Sequence, residues 1–312
     1  MQDVRDFGAK GDGKADDTAA FQAAFDALNK PVNRYGWAPS GGTVWIPPGC
    51  YKITSAVDIV ADNTCIRGES GPSNLGRNTW IHFTGTGPLF RFPSDPFHTA
   101  QGFTASGFVL VGSKHETPPT AAFSIQTGPR FRRDLLFDRI GIFYFQTAIE
   151  VWRDQETEAK DQTQIGKLTI QRCSMKWNSQ VIDFGPSTSC NHLRIVDNDI
   201  TNNQGQRPDE TPVPILQIRA YGATIHDNVL EGQKNALSVR KSEDVSVRGN
   251  FFEKNRGYAI SAEQTTRLSI GGNRFFGDAR ELIRINKCQD VWLHEPEERV
   301  HQQNSTGVRW VN

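Results

Sequence analysis

Apolar and polar residues alternate in short runs through most of this chain, and between Leu168 and Lys287 the runs repeat. Five segments, Leu168–Met175, Leu193–Ile200, Ala223–Leu230, Val245–Phe252 and Leu268–Phe275, share the pattern apolar, x, apolar, x, x, Asn, x, apolar, with Cys173 standing for Asn in the first. Each is followed by a second apolar-alternating run: Val181–Phe184, Ile215–Ile218, Leu237–Val239, Ala259–Ala262 and Leu282–Ile285. Period-two alternation places Ile, Leu, Val and Phe on one face of a strand. Units this short cannot bury that face alone, so they stack. The pattern predicts a solenoid of coils with two strands each. The marker positions 173, 198, 228, 250 and 273 lie 25, 30, 22 and 23 residues apart. A plain coil takes about 22 residues, and the surplus, as in Asn202–Pro214, is predicted to loop out at a corner. The repeated Asn is placed at a corner in left-handed backbone, which Asn tolerates, with its side chains hydrogen-bonded from coil to coil.

The N-terminal pattern differs. Val4–Phe7 reads as a short strand, Gly8, Gly11 and Gly13 as a turn, and Asp16, Asp17 or Thr18 as the cap of a helix from about Ala19 to Leu28. Phe21, Phe25 and Leu28 share one helical face. Such a helix is suited to cover the open edge that a solenoid leaves at its end. Further strands are predicted at Thr43–Ile46, Tyr51–Ile53, Val57–Ile59, Thr64–Arg67, Trp80–Phe83, Leu89–Phe92, Phe103–Val111, Ala121–Ile125, Leu135–Ile142 and Ala148–Trp152. Loops are predicted around Tyr35–Pro39, His115–Pro119 and Arg153–Thr163. The chain is read as one domain over 1–312: strand and capping helix to residue 30, coils over 41–294, and a tail over 295–312 closing the last coil.

Composition narrows the function. Among 312 residues, 35 Lys and Arg balance 35 Asp and Glu, so no bulk field draws the chain to nucleic acid or a membrane surface. No apolar run approaches a membrane span. Met1-Gln2-Asp3 does not read as a signal peptide. The chain is expected to be secreted after loss of a signal, or virion-associated, unless it acts where it is made. Five cysteines (50, 65, 173, 190 and 288) are irregularly spaced, with no metal-site pattern. Cys173 is expected to be a buried free thiol. Seven Trp residues provide material for stacking on sugars.

Val4–Leu28, with Gly8-Ala-Lys-Gly11-Asp-Gly13 and Asp16-Asp17-Thr18, followed by Gly41-Gly-Thr-Val-Trp-Ile-Pro-Pro-Gly-Cys-Tyr-Lys-Ile53, resembles the N-terminal signature of the pectate-lyase-like superfamily. The signature covers roughly the first 55 residues, and the repeats carry the resemblance over nearly the whole chain. It implies an all-β fold, a right-handed parallel β-helix with a short N-terminal capping helix. The superfamily includes polysaccharide lyases, glycoside hydrolases, uronan epimerases and phage tailspike depolymerases, and fold does not choose among them. The glycines and aspartates of the signature read as turns and caps. Gly8-Ala-Lys-Gly11 is not a phosphate loop, because no Gly-Lys-Ser/Thr follows. The polygalacturonase Asn-Thr-Asp, Asp-Asp and Gly-His-Gly elements are absent from the central coils. The epimerase Asp-Pro-His-Asp and the pectate lyase Trp-Ile-Asp-His are missing too. Subfamily catalytic residues therefore cannot be carried over.

Candidates come from aligning the second run of successive coils. One outward column reads Glu150, Asp183, Gln217, Ser238, Ser261, Arg284, and the next reads Trp152, Gly185, Arg219, Arg240, Glu263, Asn286. Coils lie about 4.8 Å apart, which sets Glu150 beside Asp183. Two such carboxylates do not ionise together readily, and an acid beside a carboxylate is the equipment of glycosidic cleavage; a solvated surface with splayed charges is the alternative. Arg219 stacked on Arg240 would attract an anion, either Glu263 or an acidic sugar. Superfamily lyases use Lys or Arg in this way, often with calcium, so the resemblance implies β-elimination on a uronate polymer. No acidic cluster has calcium-loop spacing. On the first run of the coils, His226, with Asp197, Asp199, Asp227 and, one coil on, Arg248, could serve as acid or base, an ordinary surface His being the alternative. The expected catalytic set is Glu150, Asp183, Arg219, Arg240 and His226. Trp152, Glu263, Arg248 and Arg284 are expected to bind substrate, and no metal is assigned beyond calcium by resemblance. The leading expectation is a lyase of acidic polysaccharide acting in a lateral groove. A glycoside hydrolase using Glu150 and Asp183 and a non-catalytic glycan-binding tail protein are the rivals. A monomer or a homotrimer is expected.

Overall fold

The computed structural model of the chain describes residues 1–30, 40–72, 78–93, 101–113, 118–127, 132–153, 163–185, 188–205, 212–277, 282–295 and 297–311. Three sheets wrap one core. Among the described residues, sheet I has 12 strands, from Gln2–Asp3 to Thr306–Trp310; sheet II has 10, from Asp12–Asp16 to Arg274–Phe276; sheet III has 10, from Val57–Asp58 to Val300–Gln303. Through the body of the solenoid, each strand pairs in parallel with the strand three along in sequence, so a coil contributes one strand to each sheet. Coils thus have three strands rather than two. The repeated eight-residue segment bends in its middle: Thr163–Gln171 lies in sheet I and Ser174–Lys176 in sheet II.

The bend explains the Asn column and corrects its expected conformation. The left-handed residue is the one before the Asn: Arg172, Asp197, Asp227, Gly249 and Gly272 have φ of 54°, 60°, 57°, 65° and 64°. The turn at that residue aims the next side chain inward. Asn198, Asn228 and Asn250 are at most 2% exposed. Each Asn Oδ1 accepts the backbone N–H of the residue at its position one coil earlier: Cys173 to Asn198 at 2.9 Å, Asn198 to Asn228 at 3.1 Å, Asn228 to Asn250 at 3.1 Å and Asn250 to Asn273 at 3.0 Å. Each Nδ2 donates to a carbonyl of the preceding coil, as from Asn228 to Ile195 O at 2.8 Å. Corner groups that no strand ladder can reach are thereby satisfied. Glu295 Oε1 ends the ladder, accepting from Asn273 N at 3.0 Å. Cys173, buried beneath the first Asn, is a free thiol whose burial pushes its pKa up to about 12. A second ladder begins at the sheet II to sheet III corner, joining Asn178 N to Asn203 Oδ1 at 3.0 Å; further along, the Gln233 and Asn255 side chains only donate, to Ile200 O and Leu230 O of the preceding coil.

The core is aromatic at the N-terminal end, where Phe90, Phe103, Phe123 and Phe137 pack ring on ring, and aliphatic beyond. The helix Thr18–Asp26 covers that end, setting Phe21 against Tyr51 and Phe25 against Phe90. Asp17 occupies the N-cap position without a side-chain capping bond, because its carboxylate is taken by Lys10 N and Gly11 N. Asp16 instead accepts from Thr18 N at 3.0 Å. Val4–Phe7 is a 3-10 turn rather than a strand. Asp3 caps it by accepting from Arg5 N, and the flanking strands are Gln2–Asp3 and Asp12–Asp16. Residues 31–39, 114–117, 154–162 and 206–211, which hold most of the expected loops, lie outside the described residues.

Candidate functional site

Sheet III carries the carboxylate column on its outer face. Ser124, Glu150, Asp183, Gln217, Ser238, Ser261 and Arg284 are successive register partners. Buried Ile149, Val151, Ile182 and Phe184 flank the two acids in sequence, so period-two alternation forces Glu150 and Asp183 outward together. Each acid has a different holder. Ser124, buried beside the preceding strand, hydrogen-bonds Glu150 and accepts from Trp152 Nε1 at 2.8 Å. Gln217 Nε2 donates to Asp183 Oδ1 at 2.8 Å. Burial raises the Glu150 carboxyl above the usual glutamate range; the Ser124 hydrogen bond lowers it, and the Asp183 charge raises it further. The result is an acid that releases its proton less readily than a free glutamate, beside an Asp183 side chain that accepts from an amide. Trp152, 38% exposed, stands on the same strand two residues on.

The arginine column is made only in part. Register pairing between the two strands ends at Ile218 with Val239. Arg219 lies past it, where the chain turns toward sheet I and its carbonyl accepts from Cys190 N. Arg240 is the partner of Glu263, which in turn pairs Asn286. Arg284 lies over the Tyr258 ring, 5.4 Å from its centroid. It is five strands from Glu150, about 24 Å at the usual strand spacing.

His226 and Arg248 are register partners, but on sheet I. That sheet is a different face from the carboxylate pair. His226 Nε2 lies 3.0 Å from Ser246 Oγ, and Arg248 Nη2 donates to Ser269 Oγ at 2.7 Å. Burial depresses the His226 pKa; Asp227 opposes this, and Arg248 and Arg194 add to it. An open depression of about 490 Å³ on the same sheet is lined by Thr104, Asp134, Lys167, Thr169 and Arg194. Ser124, Lys167 and Arg194 were not singled out from sequence. Arg194 was legible as the outward partner of Thr169 and Thr224; Ser124 lies in a run read only as a strand. Among the described residues no three His, Cys, Asp or Glu side chains converge to hold a metal ion.

Comparison with known proteins agrees with this architecture. Residues 1–90 match the family described as rhamnogalacturonase A/epimerase, pectate lyase-like, and residues 170–312 match that of the periplasmic copper-binding protein NosD. Alginate lyase 7 of Azotobacter vinelandii is 48% identical over 63 residues, which is 20% of this chain and 6% of that protein. Mannuronan C5-epimerase AlgE4 of the same organism is 37% identical over 84 residues, 27% of this chain and 12% of its own. The matches thus span a small part of these relatives. Among solved structures, the DFA-IIIase of Arthrobacter chlorophenolicus in complex with GF2 superposes with a TM-score of 0.67 at 12% identity, covering 96% of this chain and 86% of its own. The A-module of Azotobacter vinelandii AlgE6 gives 0.56 at 18% identity, over 100% and 90%. The active domain of bacteriophage CBA120 tailspike protein 2 gives 0.60 at 14%, over 94% and 47%. The chain folds as a right-handed parallel β-helix, and its first 90 residues are similar to the pectate lyase-like family.

Proposed function

We propose that this chain cleaves a polysaccharide on the outer face of sheet III, with Glu150 as proton donor and Asp183 as its ionised partner. The observation that carries the reading is the in-register Glu150–Asp183 pair, in which burial raises the Glu150 carboxyl above its ordinary range while Gln217 donates to Asp183. Glu150 protonates the leaving glycosidic oxygen as its bond to the anomeric carbon breaks, and Asp183 attacks that carbon. Water, deprotonated by the Glu150 carboxylate, then releases the sugar from Asp183. Trp152 offers a ring face to the sugar beside the scissile bond. The names alginate lyase and mannuronan C5-epimerase among the partial relatives support a glycan substrate. Such a chain works outside the cell or on a virion. The test is reducing-end release from a glycan panel by Glu150→Gln and Asp183→Asn. Both are expected to lose turnover while keeping the wild-type circular dichroism. Retained turnover in either removes that residue's role.

A second reading rests on sheet I. There a neutral-shifted His226 lies among Arg194, Ser246 and Arg248. It could remove the proton next to a uronate carboxylate that the guanidinium groups neutralise, giving β-elimination. Arg219 and Arg240, the arginines first expected in this role, are less suited, since the ladder ends before Arg219 and sets Arg240 opposite Glu263.

A further inference from the structure

The two coils that carry Glu150 and Asp183 carry a second feature at their preceding corner. Tyr144 and Trp177, each six residues before its acid, stack with ring centroids 5.2 Å apart and planes 7° apart. Both have left-handed backbone, with φ of 64° and 57°, a conformation bulky side chains rarely hold. Trp177 and Phe143 form the aromatic wall of an open pocket of about 590 Å³ on the outer face of sheet II, floored by Ser174 and rimmed by Lys176, Asp199 and Asn202. The charges at its edge are answered within the protein. Lys176 Nζ lies 2.5 Å from Asp199 Oδ2, and Arg172 Nη2 lies 2.7 Å from Asp138 Oδ1. Asp197 adds a further carboxylate to the lining.

We infer that this pocket is a binding subsite for a neutral sugar ring, stacked on Trp177 with its hydroxyls hydrogen-bonded by Asn202 and the Lys176–Asp199 pair. An aromatic wall beside polar groups suits a ring with one apolar face and a hydroxylated rim. The paired cations and the additional carboxylate disfavour an anionic unit. The subsite rests on the reading of the chain as glycan-acting, and it places substrate contacts on both sides of one corner. The path from Trp177 to Asp183 is at most about 20 Å of extended chain. A glycan crossing the two coils would meet the pocket and the carboxylate pair in turn.

The test is affinity electrophoresis of the full chain through gels holding laminarin, galactomannan, dextran, xylan or inulin, with alginate as the anionic control. At least one neutral glycan should retard the wild type. Trp177→Asn removes the ring while keeping a residue that accepts left-handed backbone; it should weaken that retardation roughly tenfold, and Trp177→Tyr should restore most of it. Tyr144→Asn removes the backing ring and gives the same reading if Trp177→Asn does not fold. Glu150→Gln should be retarded as the wild type is, so loss of turnover and loss of the subsite are told apart. No retardation by any neutral glycan, or retardation that survives both Asn variants, overturns the inference.

Discussion

The inner Asn ladder and the outer carboxylate column are products of the same coil, yet one repeats and the other does not. From Cys173 to Asn250 each inner corner presents the same problem, a backbone N–H with no strand partner, and Asn198, Asn228, Asn250 and Asn273 solve it identically. On the outer face of sheet III the fold demands nothing but a residue that tolerates water. The column changes at every step but one, from Ser124 through Glu150, Asp183 and Gln217 to the Ser238–Ser261 pair and Arg284. In a solenoid, then, a repeated polar residue points to support. A polar residue that departs from its own column, and is held by neighbours, points to chemistry.

The sharpest way to break this contrast is to exchange the effects. Asp183→Asn and Glu150→Gln should each lower kcat by about 10³-fold or more, the scale of removing an essential acid or base, with little loss of stability. Asn228→Leu should do the reverse. It strands the N–H of Asn198 and removes the side-chain links to Asn198 Nδ2, Asn250 and Ile195, costing at least about 3 kcal/mol in chemical denaturation. An Asn228 variant of native stability would mean that the ladder is not what holds the corner. Trp152→Ala should raise KM about tenfold with kcat changed less, since the ring is exposed and does not bond to the acids.

A finer prediction concerns pH. Burial raises the folded-state pKa of Glu150 above its unfolded value. Its contribution to stability is therefore fully present below the ordinary glutamate pKa of about 4.3 and is lost as pH rises through the folded value. Glu150→Gln should be more stable than the wild type at neutral pH, and the difference should vanish below about pH 4. Urea melts at several pH values check this; a variant less stable at neutral pH would place Glu150 as an ionised structural partner. The smallest effect is expected from His226→Gln. On another face from the carboxylate pair, it should change turnover less than about twofold under the sheet III reading.

The phase of the repeat made the outward column legible. Once the Asn markers set the register, Glu150 had to fall beside Asp183. The second ladder was legible too, since Asn178, Asn203, Gln233 and Asn255 each follow a first-ladder position by five residues, but an inward polar residue is hard to distinguish from a surface one by alternation alone. Strand ends were not legible. Arg219 aligns with Arg240 on paper, and only the turn toward Cys190 shows that pairing has stopped. Nor does a one-dimensional pattern reveal a third sheet: the sequence sets His226 on the first run of its coil and Glu150 on the second, and only the three-sided coil shows that these are different faces. Val4–Phe7 misled for a local reason. Four residues of mixed polarity fit a strand, and Asp3 accepting from Arg5 N tips them into a 3-10 turn.

The most direct test of the sheet III assignment is to follow reducing ends and the ultraviolet absorbance of unsaturated uronate together as the wild-type chain acts on neutral and acidic glycans. Hydrolysis by Glu150 and Asp183 predicts reducing ends with no rise in absorbance. Both signals rising together, with activity surviving in Asp183→Asn and lost in His226→Gln, would contradict it and move the chemistry to sheet I.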